Sequence, residues 1–394
     1  MGAAFTGGPS SKPWYAPPVP TELPEALKRR RNMGLVLYIV GQMVGGGLLL
    51  LLFLLPALFD AGVCGAMCMG IVLALPACVI YLTVPRLLDR YDPEPWYALL
   101  GCLAWGGIAA CGFSAAINST VGLCGFVAGG EGAGDVLSAV VSAPLVEEFF
   151  KGLGVWGVYY FLRNEFDGVV DGIIYATFTA LGFAAVENVI YYAEAAGQGQ
   201  LGLTFVMRGI LFPWGHPVYT AMIGIGLGLA RETEKGWVRV VGPIGGYFGA
   251  VALHAMWNGS ATLADAQGGE IFLCMLPIWF LFVLTFLIIV VVLVRRRGKI
   301  MREFLQDEVA LRHLSQEEVD LVASAFGLLK ARTRWGRTGA DFVRATARLA
   351  LSKWHTHRAH RSQTHTYSMD FIVPLRQRIK ELRQQMHHEA AQRR

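Results

Sequence analysis

Glu147 and Glu148, with Lys151 a helical turn later, stand inside an apolar stretch, SAVVSAPLVEEFFKGLGVWGVYYFL, long enough to cross a bilayer. Three later apolar stretches carry Glu187, His216 and His254, and Asn258 follows His254 by four residues. An ionisable side chain at the centre of a membrane helix costs roughly 2.5–3.5 kcal/mol on insertion scales. A chain that keeps such groups on four successive spans points to their joint use. Carboxylates with imidazoles are the residue types of proton transfer and of metal binding.

The spacing adds detail. Glu147 and Lys151 stand at i, i+4 and Glu148 and Lys151 at i, i+3, so the lysine can pair one carboxylate and leave the other free. Burial and a neighbouring cation act on a carboxylate in opposite directions, so the pair can hold two protonation states. His254 and Asn258, also i, i+4, place an amide on the face of an imidazole. Pro213 and Pro217 flank His216, and prolines free backbone carbonyls in a way that suits a polar cavity. Arg208 on the same span is placed to neutralise a substrate or a buried acid. Asp171, at the start of its span, reads as a helix N-terminal acid.

The elements that must position these residues are membrane helices. Hydrophobic residues make up 54% of the chain and charged ones 16%, against about 25% charged in a soluble domain. Mean hydropathy is +0.45. Eight stretches approach the ~20 residues a helix needs to span the hydrocarbon. They cover 33–55, 62–84, 97–128, 137–161, 169–195, 204–229, 239–263 and 271–294. The third is Gly-rich and is expected to be tilted or broken. The expected fold class is therefore all-α, a polytopic membrane helical bundle with a helical cytoplasmic C-terminal extension.

Lys and Arg fall in alternate loops: before the first span, after the second, fourth and sixth, and after the eighth. The loops between carry none, which places both termini in the cytoplasm of a multi-pass cell-membrane protein. On that topology Glu147, Glu187, His216 and His254 all lie roughly 13–18 Å below the outer boundary at 1.5 Å per residue. Groups at one depth can meet.

Three segments follow. Residues 1–32 read as a cytoplasmic N-terminal tail, Pro/Gly/Ser-rich and flexible to about residue 25, then basic. They lack the form of a cleaved signal peptide. Residues 33–294 are expected to form the membrane-embedded domain that holds these polar residues, and 295–394 a basic helical extension that supplies most of the net charge of +5. In the extension, Ser315 and Glu318 fit a capping box opening the helix EEVDLVASAFGLLKAR, and GADFVRATARLALSKW is a second amphipathic stretch. Their basic faces point to anionic lipid, with no nucleic acid expected. The tail histidines His355, His357, His360 and His365 read as part of a solvated basic segment. The seven cysteines fall in or beside spans and read as packing residues. The sequon at Asn118 lies within a span, which argues against glycosylation there.

EEFFK at 147–151, DGIIYATFTALGFAAVEN ending at Glu187 and Asn188, the span with His216, and HAMWN with His254 and Asn258 together resemble the PrsW family. These are polytopic intramembrane proteases related to the CAAX prenyl protease group. DRYDPEPW, Asp89 to Trp96, resembles the family's acidic-Pro signature, and the resemblance covers about 33–294. It implies hydrolysis of peptide bonds in a membrane-anchored protein substrate, an anti-sigma factor in the family's best-known role. It also implies that Glu147 and Glu148 are the essential glutamate pair, that His216 and His254 are the family histidines, and that Glu187 is the second acidic motif.

Two mechanisms suit these residues. In one, His216, His254 and a carboxylate, Glu187 or Glu148, bind Zn²⁺, Glu147 is the general base, and Asn258 or Lys151 steadies the oxyanion. In the other, a glutamate activates water without metal. The chain has no HExxH motif to mark a zinc site locally. A transporter using midplane carboxylates is the alternative, weakened by the absence of an internal repeat. A silent scaffold for another membrane helix is a third.

Overall fold

The computed structural model describes residues 25–89, 93–267, 270–361, 369 and 371–392. The tail up to residue 24, three residues of DRYDPEPW and His365 lie outside them. Among the described residues every regular element is helical. The helices are α1 (Lys28–Phe59), α2 (Ala61–Arg86), α3 (Trp96–Gly129), α4 (residues 131–161) and α5 (Val169–Gly197). Then come α6 (residues 201–211), α7 (Gly215–Glu232), α8 (Gly236–Gln267) and α9 (Glu270–Phe304). The extension adds α10 (Gln306–Ala310), α11 (Gln316–Ala323), α12 (Gly327–Arg361) and α13 (Ile372–Gln392).

Among the described residues, six helices are long and apolar enough to cross a membrane: α1, α2, α3, α5, α8 and α9. The two other expected spans are helical but fall outside that group for physical reasons. α4 holds the charged trio Glu147, Glu148 and Lys151. The sixth is divided into α6 and α7 by a break at 212–214, where Pro213 cannot donate a backbone bond. The Gly-rich third span is unbroken and passes through a π-helical stretch at Trp105–Ala110. The basic cluster expected ahead of the first span is already helical from Glu25.

α5 is the axis of the bundle. Of its apolar window 89% is buried, against 11% for α1 and α2 and 6% for α9. Large apolar side chains such as Leu37, Val72, Val79, Phe248, Leu281 and Ile288 are exposed on the peripheral helices, as a lipid-facing surface requires. α5 and α7 approach closely at Gly172 and Gly224, where a Cβ on either would collide with the other's carbonyl. That contact sets the helices bearing Glu187 and His216 side by side.

The DRYDPEPW segment ties helix ends together. Asp89 is buried and accepts from Glu94 N at 2.8 Å and from Arg86. Arg86 also lies over the Trp96 ring, and Tyr175 of α5 donates to Glu94 Oε2 at 2.5 Å. Asp171 accepts from the backbone N–H groups of Asp167 and Gly168, capping α5 as expected.

The extension has its own hydrophobic core, which includes Met301, Leu305, Val319, Val322, Phe342 and Leu382. The Ser315–Glu318 capping box is present, but the helix it opens ends at Ala323 and a new one begins at Gly327. Gly336, with φ +64°, then kinks α12. His355 is buried rather than solvated, with Nε2 3.6 Å from Asp167 Oδ2, and Arg358 donates to the Asp167 carbonyl at 2.8 Å. All seven cysteines are free, and only Cys102 and Cys111 are buried.

Candidate active site

Two proline-linked irregularities shape the site. Residues Leu137–Ser142 of α4 are π-helical, and Ala143 N donates to Ser138 O, five residues back. The next bond in that register would run from residue 144 to Ala139 O, but residue 144 is proline and has no N–H. Asn258 of α8 takes its place, donating from Nδ2 to Ala139 O at 2.8 Å. α6 is related but not identical: Val206–Leu211 is π-helical, Pro213 follows, and Tyr81 donates at 2.7 Å to the carbonyl of Gly209, four residues before that proline. Side chains from other helices thus cap carbonyls that a regular helix would satisfy itself.

Just after the first irregularity, α4 presents Glu147, Glu148 and Lys151, all buried. Lys151 Nζ is 2.6 Å from Glu148 Oε1, 3.6 Å from Glu147 Oε2 and 3.0 Å from His216 Nδ1. An ammonium has no lone pair, so His216 Nδ1 accepts and its Nε2 carries the proton. That Nε2 lies 2.9 Å from Glu187 Oε2. Glu187 also accepts from Arg208, whose Nε donates to Asn188 Oδ1 at 2.7 Å. His254 Nδ1 lies 3.0 Å from Glu148 Oε1, and Thr220 donates to Glu148 Oε2 at 2.8 Å.

The two glutamates therefore differ. Both oxygens of Glu148 are engaged. Glu147 accepts from Asn118 Nδ2 at 3.3 Å through Oε1, while its buried Oε2 has no hydrogen-bond partner among the described residues. His254 Nε2 is 3.9 Å from that Oε2. Glu147, His216 and His254 each offer a ligand atom, all within 4.8 Å of one another.

The structure brings six of the seven expected residues into one network: Glu147, Glu148, Lys151, Glu187, His216 and His254. Asn258 is the exception, since its recorded bond goes to the Ala139 carbonyl. The metal-capable group contains Glu147 where Glu187 had been expected, because Glu187 is drawn to Arg208 and the far nitrogen of His216. Asn118, Ser142 and Thr220 were not anticipated. Thr220 is four residues beyond His216, a helical spacing that offered a signal; Asn118 offered only its polarity within a span.

The donor set fits a divalent cation. Two imidazoles and a carboxylate match the ligand types and number of an open zinc site, with Lys151 Nζ having to release the Nδ1 lone pair of His216 for that imidazole to ligate. Each histidine has one nitrogen against a carboxylate, Glu187 for His216 and Glu148 for His254, as orienting partners of metal-binding histidines do. Glu147 Oε2 is a buried acceptor with no hydrogen-bond donor among the described residues, Lys151 Nζ standing 3.6 Å away.

The description "PrsW family intramembrane metalloprotease" matches residues 94–293. The match begins at Glu94, later than the residue 33 expected from the motifs. Protease PrsW of Geobacillus kaustophilus is 27% identical over 211 residues, covering 51% of this chain and 83% of that protein. Protease PrsW of Halalkalibacterium halodurans is 34% identical over 113 residues, 28% of this chain and 48% of its own length. Protease PrsW of Oceanobacillus iheyensis is 33% identical over 99 residues, 24% and 41% of the two chains. No solved structure matches. The matched span holds all the residues of the buried glutamate–histidine network, and the chain belongs to the PrsW family of intramembrane metalloproteases.

Proposed function

We propose that this multi-pass membrane protease hydrolyses a peptide bond of a membrane-anchored protein at the Glu147–His216–His254 cluster, with both of its own termini in the cytoplasm. The observation that carries the reading is Glu147 Oε2, a buried carboxylate oxygen with no hydrogen-bond donor among the described residues, grouped with two imidazoles. His216 and His254 would hold a divalent cation beside Glu147, with zinc favoured by the donor types. When bound, such an ion supplies Lewis acidity and makes its water a nucleophile at neutral pH.

The chain's own residues handle protons and orientation. Glu147, the glutamate with the open oxygen, takes the proton of the attacking water and returns it to the leaving amine. Glu148 and Glu187 fix the two imidazoles, and Lys151 steadies the charge that develops on the substrate carbonyl. A helical substrate must unwind locally, because its carbonyls are already hydrogen-bonded. An anti-sigma factor with a single span is the substrate class suggested by the family resemblance.

Anionic lipid is the second partner. Phe326 and Leu329 are exposed in an acid-free run with exposed Lys330, Arg334 and Arg337. The Ala323 carbonyl lies against Gly298, just past the basic cluster at 295–297. This contact supports a position for the patch near the membrane exit of α9, where basic and apolar side chains favour lipid headgroups.

The test is cleavage of a panel of single-span substrates co-reconstituted with wild type, Glu147→Gln, Glu148→Gln or His216→Ala. Cleavage by wild type and its loss in the variants support the reading. No cleavage by wild type, with ion flux through sealed liposomes abolished by the same glutamate substitutions, would replace it with a transporter.

A further inference from the structure

Asn118 of α3 stands beside the reactive carboxylate although nothing in its sequence context marks it for catalysis. Its Nδ2 donates to Glu147 Oε1 at 3.3 Å. Its Oδ1 accepts from Ser142 Oγ at 2.7 Å, and its backbone carbonyl accepts from Ser138 Oγ at 3.1 Å. Ser138 and Ser142 both belong to the π-helical stretch that directly precedes the glutamate pair.

These bonds fix the amide's orientation. When Glu147 is ionised its carboxylate only accepts, so the NH₂ end of Asn118 then faces Glu147 and the oxygen end faces Ser142, whose hydroxyl can donate. A glutamate side chain otherwise turns about its terminal torsion with little preference. With Oε1 held by Asn118, Oε2 is the oxygen left for the histidines, 3.9 Å from His254 Nε2. Ser142 is itself buried, so its hydroxyl has good reason to keep the amide as its partner.

We infer that Asn118 is a positioning residue for Glu147, held by Ser142, and that this pair determines which glutamate oxygen faces the reacting centre. The inference rests on the protease reading above. The π-helical stretch gains a role in it: its unusual register carries Ser138 and Ser142 to α3 while α4 delivers Glu147 to the site. Irregular helical turns of this kind recur at functional sites.

The experiment compares full-length wild type with Asn118→Ala, Ser142→Ala and the double variant in one liposome cleavage assay, with a melting curve for each. Loss of a partner that orients a site carboxylate costs about 10–100-fold in activity. The expected result is a fall of that order in kcat for Asn118→Ala, with KM nearly unchanged and melting preserved. Ser142→Ala loses less, and the double variant is no slower than Asn118→Ala, because serine acts through the amide.

A wild-type kcat in Asn118→Ala, or a double variant slowed by the product of the single effects, would overturn the inference. Infrared spectroscopy supplies a readout that needs no turnover. The carboxylate band removed by Glu147→Gln shifts in Asn118→Ala if the hydrogen bond exists and stays in place if it does not. Silence of wild type on every substrate would count against the protease reading, while the infrared shift still decides the positioning bond.

Discussion

Glu148 Oε1 and His254 Nδ1 lie 3.0 Å apart, and the same oxygen receives Lys151 Nζ at 2.6 Å. One carboxylate oxygen thus serves an imidazole and an ammonium, while Thr220 holds the other oxygen. This separates the two glutamates experimentally. Glu148→Gln leaves a buried lysine without its nearest counter-charge, and breaking a buried ion pair costs about 3–5 kcal/mol. Glu147→Gln keeps the Glu148–Lys151 pair and an amide beside Asn118. Both variants lose cleavage, but melting in detergent falls sharply for Glu148→Gln only. Equal melting losses would mean that the roles are not divided this way.

Asn258 is predicted to act through the backbone. Asn258→Ala strips the donor from the Ala139 carbonyl, and an unsatisfied buried group costs about 1–3 kcal/mol. Pro144→Ala restores an N–H at the residue whose register points at that carbonyl. The loss caused by Asn258→Ala is therefore smaller in a Pro144→Ala background. Unfolding measured for the four combinations gives the coupling directly, and strict additivity would remove the proposed link between proline and asparagine.

Asp89 gives a pH dependence. Burial raises its carboxyl to about 7, against the lowering effects of the Glu94 backbone bond and Arg86. A carboxyl raised in the folded chain binds its proton more tightly there than when unfolded, where its pKa is about 3.9. Its contribution to stability is fully present below that value and is lost as pH rises through about 7. Wild type should gain melting temperature between pH 8 and pH 6. Asp89→Asn should show a smaller gain, and an identical gain would show that Asp89 does not titrate there.

Glu308 works in the opposite sense. Burial would raise its carboxyl, but hydrogen bonds from Arg376, Lys353 and His313 outweigh it and hold it at about 2. The stability this supplies to the extension is present above the unfolded value of about 4.3 and is lost as pH falls toward about 2. Glu308→Ala leaves Arg376 and Lys353 without their shared carboxylate and costs on the order of 3–5 kcal/mol. Limited proteolysis should then cut the extension first and spare the fragment bearing the glutamate pair. Uniform resistance across the chain would contradict this.

Much of the architecture was legible from the primary structure because a membrane enforces it. Apolar runs of spanning length identified a helical bundle, and charges too costly to bury alone marked the candidate site. Equal depth correctly grouped Glu147, Glu187, His216 and His254, since rise per residue is a property of the helix. Rotation about each helix axis was not legible. It decides that Glu147, not Glu187, shares the metal-capable group, and that Asn258 reaches a backbone carbonyl. The π-helical register of Leu137–Ser142 shifts every following residue around the helix, and periodicity based on 3.6 residues per turn cannot register that change. His355 was misread as solvated for another reason: a basic, polar sequence looks solvated until the surface it packs against is known.

The most direct test of the central claim is cleavage of one reconstituted single-span substrate after chelation and zinc re-addition, with bound metal measured in the same samples. Wild type, Glu147→Gln and His216→Ala are compared. Wild type is predicted to lose cleavage with its metal and to recover both, while neither variant cleaves before or after zinc and His216→Ala retains less metal. Undiminished cleavage by metal-free wild type would contradict the metal-assisted site, and wild-type cleavage by Glu147→Gln would contradict the assignment of the reactive carboxylate.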